Sequence, residues 1–269
     1  AGALRRDLCP MACEARRVLL SPDAARLYLE IERGKRTVLW NLRGRYLEEL
    51  PESVGFDGAG REYRFRIDRW GNFHLKYGTR EREIKGGMGG FQTVLPSGEL
   101  ALSGAGGAFE VYDENGAPVR RVNYPVHGSG GTAPFHEAAF DAQMKYFVLE
   151  TMRNHGGVHR VTLFGMDGRQ GNTIDVEDAL GDGAVCANGE LIATGHVNGG
   201  VRIFDRSGKR LKHYAGHLLA VNGLALTADK SFLLSTAKDR TTRLWNLNRD
   251  TSIALVALKN GEWIAYDDA

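Results

Sequence analysis

A serine, a histidine and an aspartate lie close together toward the C-terminal end of the chain, at Ser235, His217 and Asp239. These three types can make a hydrolytic relay, in which the imidazole takes the hydroxyl proton and the carboxylate orients the imidazole. A relay is defined by geometry, so nearness in sequence raises this reading without carrying it. His155 and His159 stand four apart, a spacing that on a helix would turn two imidazoles toward one metal. Gly156-Gly157 lies between them, the flanks read as strands, and no carboxylate or cysteine stands at ligand spacing nearby. Cys9 and Cys13, in Cys-Pro-Met-Ala-Cys, lack the second pair that a zinc site needs, and Cys186 is far away. They read as free thiols. The Gly86–Gly90 cluster is followed neither by Gly-Lys-Ser/Thr nor by a helical pattern, so it reads as a linker rather than a phosphate cradle. The acidic clusters Asp175-Val176-Glu177-Asp178 and Asp267-Asp268 do not recur along the chain, as the ligands of a symmetric metal cage would. No catalytic residue, metal or cofactor is expected.

The elements that would position these side chains are short strands. Val221–Thr227, Phe232–Thr236 and Thr242–Leu247 are β-type runs, separated by Ala-Asp-Lys-Ser and Ala-Lys-Asp-Arg, the polar punctuation of tight turns. The same plan appears near the front: Val18–Leu20, the turn Ser21-Pro22-Asp23, Leu27–Ile31, Thr37–Leu42, then Tyr46–Leu50. Composition agrees, since 35 glycines against 7 prolines suit a chain made of many turns. With 42 % hydrophobic residues a core can be built. Lys plus Arg (35) nearly balance Asp plus Glu (33), which gives no bulk-charge argument for a nucleic-acid or membrane partner. No apolar run approaches the ~18 residues that span a bilayer. The first twenty residues are too charged for a signal-peptide core, and three cysteines make no disulfide framework, so a cytoplasmic setting is expected.

Gly216-His217 precedes the Val221 run, and Leu244-Trp245-Asn246 closes the third strand of that unit; Leu39-Trp40-Asn41 repeats the ending near the front. This pattern resembles the WD40 repeat, with Gly-His at the start and Leu-Trp-Asn where the family usually writes Trp-Asp. The resemblance implies an all-β fold, a β-propeller of WD40-like four-stranded blades. It also implies that His217, Ser235, Asp239 and Trp245 form a structural hydrogen-bond network rather than a relay. Six blades are counted, roughly 15–50, 51–85, 86–123, 124–174, 175–213 and 214–258, in one domain spanning 1–269. The ends, 1–14 and 259–269, either close this ring or complete or belong to a seventh blade. The closing text Gly261-Glu262-Trp263-Ile264-Ala265-Tyr266-Asp267 is similar to a segment that follows the last repeat in many bacterial WD40 proteins. There it continues into a Gly-Tyr-Tyr strand absent here, which points to a chain that is part of a longer polypeptide.

The second blade is read from alternation alone, Tyr63-Arg-Phe-Arg-Ile67 followed by Asn72–Tyr77. Its mixture of arginines and aromatics could stack single-stranded nucleic acid, but strand alternation gives the same pattern, and Glu62, Asp68, Glu81 and Glu83 dilute the charge. Nucleic acid is therefore not expected. Loops on a rigid scaffold are where binding concentrates. The expected contact residues are Arg69 and Trp70 in the second blade, Arg153, Asn154, His155 and His159 in a loop of the fourth, and His196, exposed at one mouth of the ring, in the fifth. The expected function is a non-catalytic propeller that holds other proteins as a scaffold or regulatory module. The alternative is a propeller-type enzyme, or a small-ligand or metal-binding protein, that uses the central channel.

Overall fold

The structure, a computed structural model, describes residues 17–21, 26–32, 36–41, 46–57, 59–68, 72–84, 92–104, 107–125, 138–141, 143–153, 158–176, 180–227, 229–257 and 263–267. Among these residues no helix forms, and the strands sort into six antiparallel sheets. The first holds β1 (Arg17–Leu20), β2 (Arg26–Glu32), β3 (Arg36–Asn41) and β4 (Tyr46–Leu50). The second holds β5 (Ser53–Phe56), β6 (Glu62–Ile67), β7 (Phe73–Tyr77) and β8 (Arg80–Ile84). The third holds β9 (Gln92–Val94), β10 (Leu100–Gly104), β11 (Ala108–Tyr112) and β12 (Pro118–Asn123). The fourth holds β13 (Ala138–Phe140), β14 (Tyr146–Arg153), β15 (Val158–Gly165) and β16 (Gln170–Val176). The fifth holds β17 (Leu180–Asn188), β18 (Leu191–His196), β19 (Val201–Asp205) and β20 (Arg210–Tyr214). The sixth holds β21 (Val221–Leu226), β22 (Phe232–Ala237), β23 (Thr242–Asn246), β24 (Thr251–Ala257) and a fifth strand, β25 (Trp263–Asp267).

Each sheet is a run of consecutive hairpins, so the strands alternate direction in chain order. This is a β-propeller. The turns are set by short polar side chains that satisfy backbone donors a sheet leaves over. Asp57 accepts the amides of Ala59 and Arg61 at 3.0 and 2.9 Å, Asp113 those of Asn115 and Ala117 at 2.8 Å, and Asp205 those of Ser207 and Lys209 at 2.9 and 3.0 Å.

A four-stranded sheet buries neither face alone, and the apolar layers here lie between neighbouring blades. Leu39, Leu50 and Val54 join the first blade to the second, and Phe65, Leu75, Val94 and Leu100 the second to the third. Between the third and fourth, Phe109 meets Phe147 edge-on with centroids 5.1 Å apart, and Phe147 stacks on Phe164 at 5.3 Å. Each such ring pair contributes about 0.5–1.5 kcal/mol beyond its burial. Val148, Leu163, Val185 and Ile192 join the fourth blade to the fifth; Ile203, Val221, Leu233 and Trp245 join the fifth to the sixth. The circle is completed where β1 lies against β21 and β22. The closing text forms β25, which pairs antiparallel with β24 on the outer side of the sixth blade, from Ile253↔Asp267 to Ala257↔Trp263. Segment 1–14, expected to act with it, lies outside the described residues.

In the second blade Tyr63 and Phe65 are buried while Arg64 and Arg66 face out, as alternation predicts. The outward cations are matched: Arg61 to Asp57 at 2.5 Å, Arg64 to Glu62 at 2.8 Å and Arg66 to Glu81 at 3.1 Å. Tyr63, Phe65 and Phe73 are core residues, so these rings offer no stacking platform to a base.

Candidate functional site

The sixth blade holds the most connected set of polar side chains. Its β22 and β23 place Ser235 and Trp245 on one face, and the chain entering β21 brings His217 over them. Trp245 Nε1–H donates to Ser235 Oγ at 2.8 Å, and Ser235 Oγ lies 2.7 Å from His217 Nε2. His217 Nδ1 lies 3.1 Å from Asp239 Oδ2 and 2.9 Å from Thr241 Oγ1. The indole can only donate and the carboxylate can only accept, so the proton order is fixed between them. Ser235 O–H donates to His217 Nε2, and His217 Nδ1–H donates toward Asp239. Asp239 also accepts the backbone amides of Leu218 at 2.8 Å and Thr241 at 2.9 Å, and the Thr241 hydroxyl at 2.8 Å. Gly216 allows the close packing: a Cβ there would stand 2.9 Å from the Arg243 guanidinium and 3.0 Å from Trp245.

The distances among Ser235, His217 and Asp239 match those of a hydrolytic relay. Access decides against it. Ser235 is 0 % exposed, and its oxygen already accepts the indole N–H, so no substrate carbonyl can approach the hydroxyl. The set ties three segments of the blade together. Thr241, its fifth member, escaped the sequence reading, although Asp-x-Thr at the start of a strand is a turn signature that could have revealed it.

Burial alone would raise the Asp239 carboxyl, but hydrogen bonds from His217, Thr241 and Leu218 outweigh it and hold the group well below the usual carboxylate range. A folded-state value below the unfolded one, about 3.9, means stability that is present above that pH and lost as pH falls through the folded value. The midpoint of chemical denaturation should therefore drop steeply below about pH 4. The Asp239→Asn variant should start lower at neutral pH and lose part of that slope; an unchanged slope would remove Asp239 as its source.

The expected contact residues divide. His196 is not exposed: β18 runs through it, it is 0 % exposed, and its Nε2 lies 2.9 Å from Thr194 Oγ1. Thr194 and His196 are two apart on a strand and so share a face. Thr194 stands where Ser235 does in the sixth blade, so the fifth blade supplies a histidine to the equivalent hydroxyl from within the strand. The Asn198 turn keeps the sixth-blade form, its Oδ1 accepting the Gly200 amide at 3.0 Å as Asp239 accepts Thr241. His159 is not a loop residue either. It lies in β15, buried, with Nδ1 2.6 Å from Glu150 Oε1 across the ladder. Arg153 ends β14. Arg69, Trp70, Asn154 and His155 lie outside the described residues. Among those described, no three His, Cys, Asp or Glu side chains converge as a metal cage would.

What the sequence reading missed is apolar. Leu218 and Leu219, between the His217 network and β21, are 85 % and 53 % exposed, and Val197 in the neighbouring blade is 47 % exposed. Gly199 brings the two turns together; a Cβ on it would fall 2.1 Å from the His217 carbonyl oxygen and 3.3 Å from that of Leu219. Exposed Lys238 and Arg240 flank this surface, since the Lys238 amide donates to the Ala220 carbonyl at 2.8 Å.

Comparison with known proteins places this geometry. Residues 208–246 match the family model "WD domain, G-beta repeat", which covers the last strand of the fifth blade and the first three of the sixth. WD repeat-containing protein 46 of Caenorhabditis elegans is 24 % identical over 218 residues, covering 74 % of this chain and 37 % of that protein. The U3 small nucleolar RNA-associated protein 15 homolog of Xenopus tropicalis is 33 % identical over 99 residues, 35 % of this chain and 19 % of that one. Eukaryotic translation initiation factor 3 subunit I of Culex quinquefasciatus is 40 % identical over 58 residues, 21 % of this chain and 18 % of that one. The chain thus spans well under half the length of these curated relatives. Among solved structures, Kuenenia stuttgartiensis hydrazine synthase superposes with a TM-score of 0.63 at 15 % identity, over 95 % of this chain and 96 % of that one, a likeness of fold alone.

Proposed function

From a β-propeller that carries a WD40 repeat, we propose that the ring is a non-catalytic platform for other proteins, engaged through the end that displays Leu218, Leu219 and Val197. The observation that carries this reading is Leu218, 85 % exposed on a backbone whose amide is held by the buried Asp239 carboxylate. Leu218, Leu219 and Val197, on two turns that meet at Gly199, group large apolar side chains in water at one end of the ring, the kind of patch that marks a protein-contact surface. The WD repeat relatives, two of them named as a complex subunit or an RNA-associated protein, support assembly in general terms. Arg69, Trp70, Asn154 and His155 remain candidate contacts of the same platform. A cytoplasmic setting, in which Cys186 stays a thiol, accompanies the proposal; burial pushes that thiol up to about 12.

The test is affinity capture from the source lysate with the native chain, the Leu218→Asp/Leu219→Asp double variant, and Val119→Asp as a control on a distant exposed residue. Partners held by the native chain and by the control, and lost by the double variant, are the expected result. Capture that is unchanged in the double variant would overturn this assignment of the surface.

A further inference from the structure

The opposite end of the ring carries a groove of a different chemistry. Because strands alternate, first-to-second and third-to-fourth turns share one end of each blade, while Leu218 sits at the other. At the turn-bearing end, between the fourth and fifth blades, lies a cavity of about 380 Å³. That is within the ~300–1,000 Å³ typical of small-ligand sites. Leu163, on the face of β15 turned toward the fifth blade, gives it an apolar floor, and Gly165 and Gly171 keep side-chain bulk out of it. Lys145, Glu190, Asn172 and Ser207 form polar walls around Arg206.

Arg206 is held in place without being used up. Its guanidinium lies 4.7 Å over the Tyr146 ring, and Tyr146 is itself pinned by its hydroxyl donating to the Gly189 carbonyl at 2.7 Å. Asn172 Nδ2 donates to the Arg206 carbonyl at 2.9 Å, fixing the turn from the neighbouring blade. The charged partner within reach, Glu190, stands 3.6 Å from one terminal nitrogen, too long for the two parallel hydrogen bonds a guanidinium makes to a carboxylate. The Nε–H is buried and has no acceptor among the described residues. A planar fork, stacked and pre-oriented, beside a second cation and above an apolar floor, fits a carboxylate joined to an apolar body.

We propose that this groove binds such a ligand, the free C-terminal carboxylate of a peptide ending in an apolar residue. Arg206 takes the carboxylate, Lys145 adds attraction at the rim, and the terminal side chain lies over Leu163. Glu190 competes for the same guanidinium and weakens binding.

The experiment is an NMR titration of the folded chain with three probes: N-acetylphenylalanine, N-acetylphenylalaninamide and inorganic phosphate. The acid should bind at least about tenfold more tightly than the amide, since only the acid offers a charged acceptor. The Arg206→Gln variant, with its thermal midpoint unchanged, should lose about tenfold in affinity for the acid. Glu190→Gln should bind the acid about two- to threefold more tightly, a gain expected of a removed surface competitor. Equal binding of acid and amide, binding of phosphate without the acid, no binding of any probe, or an Arg206→Gln variant as good as the native chain would each overturn the proposal. Should Arg206→Gln fail to fold, the Glu190→Gln arm decides alone, and an affinity that is unchanged or lower there counts against it.

Discussion

Trp245→Ala lowers the stability of the ring by about 3–5 kcal/mol, the usual cost of emptying a large buried aromatic site. The residue is 2 % exposed and stacks on Tyr214 with centroids 5.1 Å apart. It belongs to the apolar layer shared by the fifth and sixth blades, so the cavity opens between blades rather than inside one. The Arg243 guanidinium, 5.6 Å over the ring, loses its support as well. Trp245→Phe separates shape from polarity. It keeps the stacked ring but removes the donor to Ser235, and should cost about 1–2 kcal/mol. Denaturant titrations of the two variants check this order. A loss below 1 kcal/mol for the alanine variant would mean the blade does not depend on the network.

Gly199→Ala has the second largest expected effect, for a backbone reason. Gly199 has φ of +83°, and an added Cβ would lie 2.1 Å from the His217 carbonyl, a fixed main-chain atom. The left-handed conformation costs an alanine roughly 1–2 kcal/mol. Displacing the turn against a packed neighbour adds about 1–3 kcal/mol more. Gly78→Ala is the control, since Gly78 has φ of +57° and nothing within 4 Å of its added Cβ. The control should show the conformational part only, and the difference between the two variants measures the contact between blades. Because the displaced turn supports Leu218 and Leu219, Gly199→Ala should also weaken any partner held there; Gly78→Ala should not. Equal losses of stability in both variants would refute the contact.

Local chemistry decided how far the sequence could be read. The sixth blade was legible because each signal is local: Gly216 and His217, the Asp239 turn and Trp245 occupy fixed offsets along three hairpin-linked strands. The second blade was legible from one alternating run, since Tyr63 and Phe65 can be buried only if Arg64 and Arg66 face out. His196 was misread for a local reason too. Ala-Thr-Gly-His-Val-Asn-Gly gives no sign of where the strand stops, and one further residue of strand moves the imidazole from water to the blade interior beside Thr194. His159 was drawn into the loop reading by neighbouring glycines, while its partner Glu150 lies across a ladder that only folding brings together. Leu218 and Leu219 look like the start of a core strand, because apolar type does not record exposure. The groove at Arg206 is further from view. Tyr146, Asn172, Glu190 and Arg206 come from two blades, and no spacing announces them.

The junction of β1 with β21 and β22 sets this ring apart from a continuous hoop. Each of the other five junctions is crossed by the chain itself, so blades that separate there stay tethered. At the first-to-last junction no described strand is shared between sheets, because β25 adds to the outside of the sixth blade instead of exchanging with the first. Parting there disrupts one packed interface that no described strand bridges. In a circular array with nearest-neighbour coupling, the described strands hold that junction by packing alone, so its strength is set by how well β1 fits against β21 and β22.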